Sequence, residues 1–378
     1  MASGRRGAGR GVSETSLAVV GTGLIGASIG IAARRTGARV SGFDPDDQAL
    51  AAAVERGAVD EPAESLDRAL RDAELAVVAC PVARLPDTVA AALAAAPETC
   101  AVTDVGSTKA SVCAAAGSSP RFVGGHPVCG SEARGAEHAT ADLLDGATWF
   151  LTPLPHTDPS VYRRVHAFVS GLGAIPVAIG PTAHDRLVAL TSHLPHALAN
   201  LLVNQAGAGR VDGFDPLAAA GGSLRDMTRV AGANPRIWTD IFSDNAAELR
   251  SALAEHRRRV EELEAALGTG DAGFVARWIG EAAGNRRRML ESAYAADPSD
   301  LHRVRVHVPD RPGVLAGISQ ALGADRINIE DFELSHMSPE RGGTLEMLVA
   351  GEAEARRAAD LLEAQGYGVV LVPATEGA

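Results

Sequence analysis

The residues nearest the amino terminus that could do chemistry form a glycine-rich turn followed by a distant carboxylate. An apolar run at 17–20 leads into the sequence GTGLIG at 21–26, and a second apolar run ends at Asp44. In a G-x-G-x-x-G turn, the glycines permit a tight bend, the approach of bare backbone to a pyrophosphate, and close packing of the following helix. An acid about 20 residues further on accepts hydrogen bonds from a ribose and repels a 2′-phosphate, which predicts NAD rather than NADP. The predicted cofactor contacts are Gly21, Gly23, Leu24, Ile25, Gly26, Asp44 and Pro81.

Two polar loops follow later strands of the same predicted sheet. One has the sequence TDVGSTK and contains Ser107, and the other has the sequence GGHPVCGSE and contains His126. Ligands of open α/β sheets bind at the carboxyl ends of the strands, so both loops should face the nicotinamide. Ser107 also fits a helix N-cap beside a solvated Lys109, and capping and substrate contact can coexist. Two glycines before His126 and a proline after it favour a catalytic imidazole over a structural one.

A pair of histidines lies further along, in a stretch with helical periodicity. His193 and His196 are three residues apart, on one helix face, and Pro195 between them disturbs the local hydrogen bonds. Such a pair could bind a metal ion, but a third ligand at a suitable spacing is missing. The pattern therefore predicts no metal and favours histidines that bind an anion or form hydrogen bonds.

Two arginines follow a glycine-rich turn at four-residue spacing. Arg225 and Arg229 therefore share one helix face, and two guanidinium groups so placed suit a carboxylate ligand. Asp226 and other acids could instead pair with them on the surface, and the sequence leaves both interpretations open.

The elements that must position these residues fall into three groups. Short β-branched runs alternate with alanine-rich helical stretches up to about residue 180, which predicts a Rossmann-like, doubly wound parallel sheet in an α/β domain. From 181 the periodicity becomes helical, with long apolar stripes that favour burial against a second copy, so we expect a dimer through an all-helical domain. The last stretch has the order β-α-β-β-α-β, which predicts a ferredoxin-like module. The predicted segments are a disordered basic tail at 1–14, an NAD-binding domain at 15–180, a helical substrate and dimerisation domain at 181–297, and a terminal module at 300–374.

The composition restricts the possible partners and compartment. The 378 residues are 46% hydrophobic and carry a formal net charge of −12, which argues against general nucleic-acid binding. No apolar run approaches the length of a membrane span, so no membrane partner is expected. The cysteines, Cys80, Cys100, Cys113 and Cys129, form no C-x-x-C pair and fit reduced thiols in a cytoplasm.

In the order and spacing of these motifs, the chain resembles bacterial prephenate (or arogenate) dehydrogenases of the TyrA type. The match runs from residue 17 to about 296 and includes LRDMTRVA around Arg225 and Arg229. The family's central loop usually reads GGHPMAG, whereas Val128 and Cys129 stand here, a change that bears on pocket shape more than on activity. The last module, with HVPDRPGVL at 307–315, resembles an ACT domain, a fold that commonly senses amino acids.

The resemblance implies NAD-dependent oxidative decarboxylation of prephenate in tyrosine biosynthesis. His126 would take the proton of the ring hydroxyl, and Ser107 would orient that hydroxyl and the nicotinamide. The other implied substrate contacts are His196, Arg229, Arg225, Glu132 and His193, with Arg229 on a carboxylate and Arg225 and Glu132 shaping the entrance. In the ACT domain we expect an amino-acid effector, with tyrosine as the first candidate, at Asp310, Gly313, Val314, Leu315 and Asn328.

Several alternatives remain open at this point. No residue decides between prephenate, arogenate and an aminated analogue from an antibiotic pathway. A 3-hydroxy-acid dehydrogenase also joins a Rossmann domain to a helical domain, but its catalytic lysine or His-Glu pair is not evident. A non-catalytic amino-acid sensor is the alternative from another class, and Ser107, His126 and Arg229 count against it.

Overall fold

The computed structural model describes residues 15–129, 133–293, 300–338 and 342–373. The chain divides into two compact units, Met1–His256 and Arg257–Ala378, and the division falls within one long helix. The predicted basic tail at 1–14 lies outside the described residues.

The first unit is built on an eight-stranded sheet in the order β3-β2-β1-β4-β5-β6-β7-β8. Its strands are β1 (Ser16–Val20), β2 (Arg39–Phe43), β3 (Glu61–Pro62), β4 (Leu75–Val78), β5 (Ala101–Asp104), β6 (Phe122–Pro127), β7 (Thr148–Pro153) and β8 (Ile175–Ala178). The helices between them are α1 (Leu24–Arg35), α2 (Asp47–Glu55), α3 (Leu66–Leu70), α4 (Leu85–Ala95), α5 (Ala110–Ala115) and α6 (Pro159–Gly171).

The centre of this sheet is buried on both faces. All residues of β4 and β5 are buried, as expected for apolar strands covered by helices on each side. The chain order reverses between β1 and β4, which run parallel to each other. A ligand crevice forms at such a reversal, outside the carboxyl ends of the strands, and the predicted site residues follow these ends.

The prediction of a doubly wound parallel sheet is confirmed for β1 to β6, but the last two strands run in the opposite direction. β7 pairs antiparallel with β6, and β8 pairs parallel with β7. Parallel neighbours need a crossover, usually a helix, but only two short 3₁₀ turns, Ala136–His138 and Ala141–Leu144, are described between β6 and β7. The chain therefore returns beside β6 in the opposite direction.

The rest of the first unit is helical. It contains α7 (Pro181–Val188), a π-helical turn (Ala189–His193), α8 (Leu194–Gly207), α9 (Gly222–Thr228), a 3₁₀ turn (Arg229–Gly232), α10 (Pro235–Asp244) and the first turns of α11 (Ala246–Thr269). π-helical turns are rare in proteins, and many of those found inside α-helices lie at functional sites.

The second unit continues α11, adds α12 (Ala272–Ala293) and ends in the small module. This module consists of β9 (Leu301–Val308), α13 (Val314–Ala324), β10 (Asp331–Ser338), β11 (Gly342–Ala350), α14 (Glu352–Ala364) and β12 (Gly368–Pro373). Its antiparallel sheet has the order β10-β11-β9-β12, which confirms the ferredoxin-like prediction. Aliphatic side chains of β9, β11, α13 and α14 form its core.

Candidate active site

The glycine-rich turn between β1 and α1 has a geometry that fits a phosphate ligand. Gly21 has a φ of +95°, and a Cβ there would lie 2.6 Å from the Ala79 carbonyl oxygen. By contrast, a Cβ at Gly23 would meet no atom within 4 Å, so the backbone is open to a ligand on that side. Leu24 and Ile25 are half-buried in the first turn of α1, whose backbone N–H groups are available to an anion.

Asp44 stands at the end of β2 and is held against this turn. Its carboxylate accepts hydrogen bonds from the backbone N–H groups of Thr22, at 2.8 Å, and Asp46, at 3.0 Å. The glycine turn and the acid therefore form one assembly, as a dinucleotide site requires. Pro81 follows β4 and begins the 3₁₀ turn Val82–Arg84 at the same edge of the sheet.

His126 lies on β6 and is the first ring of a buried relay. Its Nδ1 atom is 2.8 Å from Nε2 of His184, and Nδ1 of His184 is 2.8 Å from an oxygen of Asp185. His184 and Asp185 belong to α7 and are buried, whereas His126 is half-buried. Phe150 packs edge-on against His184, with ring centroids 5.5 Å apart.

The surroundings of this relay determine its protonation. Burial holds the pKa of His126 well below its ordinary value, and the nearby His184, Lys109 and His193 lower it further. Burial alone would raise the pKa of Asp185, but hydrogen bonds from His184 and from two backbone N–H groups outweigh it and lower that pKa. At neutral pH the relay therefore pairs a neutral His126 with an ionised Asp185.

A buried ion pair fixes the loop that carries Ser107. Lys109 and Asp104 have fully buried side chains and form a salt bridge, and Asp104 also accepts hydrogen bonds from the backbone N–H groups of Gly106, at 2.8 Å, and Gly125, at 3.0 Å. Gly125 precedes His126 in β6, so this pair joins the two loops. The interpretation of Lys109 as a solvated side chain is wrong, because its ammonium group neutralises a carboxylate in the sheet.

Asp185 completes this connection from the helical region. Its two carboxylate oxygens accept hydrogen bonds from the backbone N–H groups of Lys109, at 2.7 Å, and Ala110, at 2.8 Å. Asp185 thus caps the start of α5. The sequence had suggested Ser107 for this role. Ser107 is half-buried and has no hydrogen-bond partner among the described residues.

The two predicted histidines of the helical region have different partners. His193 is buried and lies 3.1 Å from Nδ2 of Asn245, which also donates a hydrogen bond to the Asp185 carbonyl oxygen. His196 is half-buried and stacks on Trp238 at 3.4 Å. Nδ1 of His196 lies 3.0 Å from the backbone carbonyl oxygen of Ser192, to which it donates a hydrogen bond, so Nε2 is left for a ligand.

The two predicted arginines are both exposed. Arg225 lies in α9, and Arg229 begins the 3₁₀ turn that follows it. Burial lowers the pKa of His196, a hydrogen bond from its ring raises it, and the positive charge of Arg229 lowers it further. Arg229 is therefore close enough for its charge to act on the ring of His196. Glu132, the remaining candidate, lies outside the described residues.

Sequence reasoning missed four residues of this network: His184, Asp185, Asn245 and Trp238. A signal for His184 and Asp185 was available in the sequence. The two residues are adjacent in the first helix after the last strand, and that helix starts at the edge of the sheet. Among the described residues, no group of three histidine, cysteine or acidic side chains could hold a metal ion. All four cysteines are free thiols. In the described parts of the chain, no helix is long and apolar enough to cross a membrane.

A dinucleotide-type turn at the chain reversal of the sheet, beside a histidine relay and a helical domain, defines a class: nucleotide-dependent dehydrogenases. Comparison with known proteins makes this specific. The chain matches family models described as "Prephenate dehydrogenase, nucleotide-binding domain" (residues 29–177), "Prephenate dehydrogenase, dimerization domain" (180–281) and "ACT domain" (302–366). It is 30% identical to the prephenate dehydrogenase of Bacillus subtilis over 93% of this chain and 96% of the relative. The chain belongs to the prephenate dehydrogenase family.

Two solved structures show the same likeness. The arogenate dehydrogenase of Synechocystis has a TM-score of 0.67 and 31% identity, over 73% of this chain and all of that one. The prephenate dehydrogenase of A. aeolicus, solved with hydroxyphenyl propionate and NAD+, has a TM-score of 0.68 and 26% identity, over 74% of this chain and all of that one.

Proposed function

We propose that the protein is an NAD-dependent dehydrogenase that converts prephenate to 4-hydroxyphenylpyruvate, with loss of carbon dioxide. The observation that carries the proposal is the His126 relay at the edge of the sheet that also bears the glycine-rich turn. The likeness to the Bacillus subtilis prephenate dehydrogenase, which extends over nearly the whole chain, supports the choice of reaction.

The cofactor we assign is NAD. Gly21, Gly23 and Gly26 with the start of α1 would hold the pyrophosphate, and Asp44 would accept hydrogen bonds from the ribose. Leu24, Ile25 and Pro81 would line the same crevice. When bound, NAD accepts the hydride that leaves the ring carbon bearing the hydroxyl group.

His126 acts on the ring hydroxyl in this proposal. Its neutral imidazole accepts a hydrogen bond from the hydroxyl and draws its proton away as the carbon loses hydride. The carboxylate across the ring then leaves as carbon dioxide, its bonding electrons complete the aromatic ring, and the proton returns from His126 to the phenol oxygen. The reaction balances with no net release of a proton. Ser107 orients the hydroxyl and the nicotinamide.

Positive and polar groups of the helical region hold the substrate. Arg229 binds one of its carboxylates through charge-assisted hydrogen bonds, and Nε2 of His196 contacts the other polar end. We propose that Arg225 and Glu132 shape the entrance and that His193 supports the site through Asn245.

A kinetic experiment tests the reaction. The full chain is mixed with NAD and with prephenate, arogenate or the aminated analogue in parallel, and NADH is followed by its absorbance. We expect the highest kcat/KM with prephenate. Preference for arogenate would establish the second candidate, which the likeness to the Synechocystis arogenate dehydrogenase favours. No NADH from any of the three, together with amino-acid binding, would leave only the sensor.

We propose that the terminal module senses an amino acid. A cavity of about 430 Å³ lies between the start of α13 and the sheet of the module, and its lining includes Asp310, Gly313, Val314 and Leu315. The predicted contact Asn328 is exposed and bonds to Glu330 outside this lining. Tyrosine is the first effector to test. Equal inhibition of the full chain and of a chain truncated after residue 296 would exclude the module as the sensor.

Oligomeric state and domain limits complete the proposal. Apolar side chains are exposed along the helical region of the first unit, including Leu201, Phe214 and Met227, and a second copy would cover them. The matched family model is described as a dimerization domain, which supports a homodimer. We retain the segment limits 1–14, 15–180, 181–297 and 300–374 and a cytoplasmic location as predictions.

A further inference from the structure

We infer that His184 and Asp185 are positioning residues, which hold His126 in the tautomer with the proton on Nδ1 and the lone pair on Nε2. The inference rests on the proposed function only where it calls His126 the base. The protonation pattern itself is a property of the free protein. Neither residue touches a reacting atom in this account, since both act through His126.

The direction of the hydrogen bonds follows from the carboxylate end of the relay. Asp185 is ionised, and an ionised carboxylate only accepts hydrogen bonds, so Nδ1 of His184 carries a proton at their 2.8 Å contact. With this proton on Nδ1, the lone pair of the His184 imidazole lies on Nε2. That atom accepts a hydrogen bond from Nδ1 of His126 at 2.8 Å, which leaves Nε2 of His126 without a proton.

Other hydrogen bonds keep the Asp185 carboxylate an acceptor in its contact with His184. Its carboxylate already accepts two backbone N–H groups at the start of α5, at 2.7 and 2.8 Å. Its carbonyl oxygen accepts the side-chain amide of Asn245 at 2.8 Å. Both backbone partners of the carboxylate are donors, so its two oxygens remain acceptors.

The relay also responds to the charge that forms during the reaction. When Nε2 of His126 takes a proton, its Nδ1–H still donates to His184, and the ionised Asp185 lies behind that ring. The other ionisable groups near His126 are Lys109, whose charge is balanced by Asp104, and His193, which is neutral near pH 7 because burial lowers its pKa to about 4. Among the described residues, Asp185 is therefore the negative group that can balance a cationic His126 through His184.

The consequence is a specific and unusual protonation state. In a free histidine the tautomer with the proton on Nε2 prevails, and that tautomer would present a donor where the base needs a lone pair. The relay would thus act as the aspartate of a Ser-His-Asp triad does, by selecting the productive tautomer, with one extra imidazole between acid and base.

Nuclear magnetic resonance of ¹⁵N-histidine-labelled full-length protein near pH 7 tests this directly, without substrate. The His126 signals are assigned by their loss in His126→Asn. We expect a protonated Nδ1 and an unprotonated Nε2 in the wild type. In His184→Leu the ring should change to protonated Nε2 or to a mixture, whereas His184→Gln, whose side-chain oxygen can accept from Nδ1, should restore the wild-type pattern. Phe150→Leu removes aromatic packing from the same rings and is the matched control, with no change of tautomer.

Kinetics give the second measurement. His184→Leu should lower kcat about 100-fold or more, within the usual contribution of an acid-base group, with an unchanged KM for NAD. His184→Gln should recover part of kcat, and Phe150→Leu should retain most of it. A wild-type His126 protonated on Nε2, or one whose pattern does not change in His184→Leu, would overturn the inference even if the protein oxidises prephenate. If the wild-type protein shows the expected His126 tautomer but oxidises none of the three substrates, the proposed function is refuted and the inference about the tautomer stands.

Discussion

At the edge of the large sheet, the charged and histidine side chains behind His126 are buried and paired, whereas the polar groups around the pocket of the small module are exposed. Asp104, Lys109 and His184 have no exposed surface, yet all have hydrogen-bond or charge partners. Around the small pocket, Asp310, Arg311 and Gly313 face solvent above a buried Val314.

The difference reflects two requirements. A reacting group must be held in one geometry and one protonation state, and a satisfied buried network achieves that. An effector must enter and leave as its concentration changes, which exposed loop residues on a rigid module permit. Substitutions should therefore have large effects at the first site and graded effects at the second.

The largest effect is expected for His126→Asn. Asparagine keeps an amide near the position of Nδ1 and lacks Nε2, so kcat should fall about 100-fold or more while NAD affinity stays the same. Steady-state kinetics and NAD titration measure the two quantities. His166→Asn, on the exposed face of α6, is the control. Preserved turnover in His126→Asn would remove His126 from the mechanism.

Lys109→Met should cause the next largest change, in stability. It leaves the Asp104 carboxylate buried without its counter-charge, which costs about 3–5 kcal/mol. Arg39→Met breaks the exposed pair with Glu61 and should cost at most about 1 kcal/mol. Urea unfolding gives both free energies. Equal losses in the two variants would show that burial of the first pair has no special weight.

Arg229→Gln should weaken substrate binding. Loss of a charge-assisted hydrogen bond of about 1.5–3 kcal/mol corresponds to a KM raised roughly 10- to 150-fold. The pKa of His196 should rise in the same variant, because the nearby positive charge is gone. Arg236→Gln on α10 should change neither quantity. An unaltered KM would argue that Arg229 pairs only with surface acids.

At the small pocket, Asp310→Ala should have a milder effect. We expect the effector concentration that gives half-inhibition to rise about tenfold, because one polar contact is lost. Without effector, kcat should stay unchanged. Inhibition curves against tyrosine measure this, with Asp360→Ala on α14 as control. A large loss of activity without effector would mean that the two sites do not differ as described.

The last effect is a gradual one, a pH dependence of stability. Burial lowers the pKa of His193 to about 4 from an ordinary 6.5, so between these values the unfolded chain binds more protons than the folded one. Stability from this group is complete above pH 6.5 and falls as pH drops towards 4, by up to about 1.4 kcal/mol per pH unit. Urea unfolding across this range should show a shallower decline in His193→Gln. An identical decline would assign the effect to other groups, His126 first.

The sequence predicted the central strands, the terminal module and the glycine-rich turn because each depends on local pattern. It did not predict the reversal at β7, because apolar runs indicate strands but not their direction. Ser107, His126 and Asp44 could be named from motifs. His184 and Asp185 could not, since their contacts with His126, Lys109 and Ala110 join residues about 60 to 75 positions apart and exist only after folding. Lys109 was misjudged for a different reason: its counter-ion, Asp104 at the end of β5, is only five residues away, but the burial of the pair exists only after folding.

The most direct test of the account is the fate of one hydrogen atom. Prephenate carrying deuterium at the ring carbon that bears the hydroxyl group is incubated with NAD and the full chain, and both products are analysed by mass spectrometry. We expect one deuterium in every NADH and one carbon dioxide per NADH. Unlabelled NADH, or NADH formed without carbon dioxide, would contradict it.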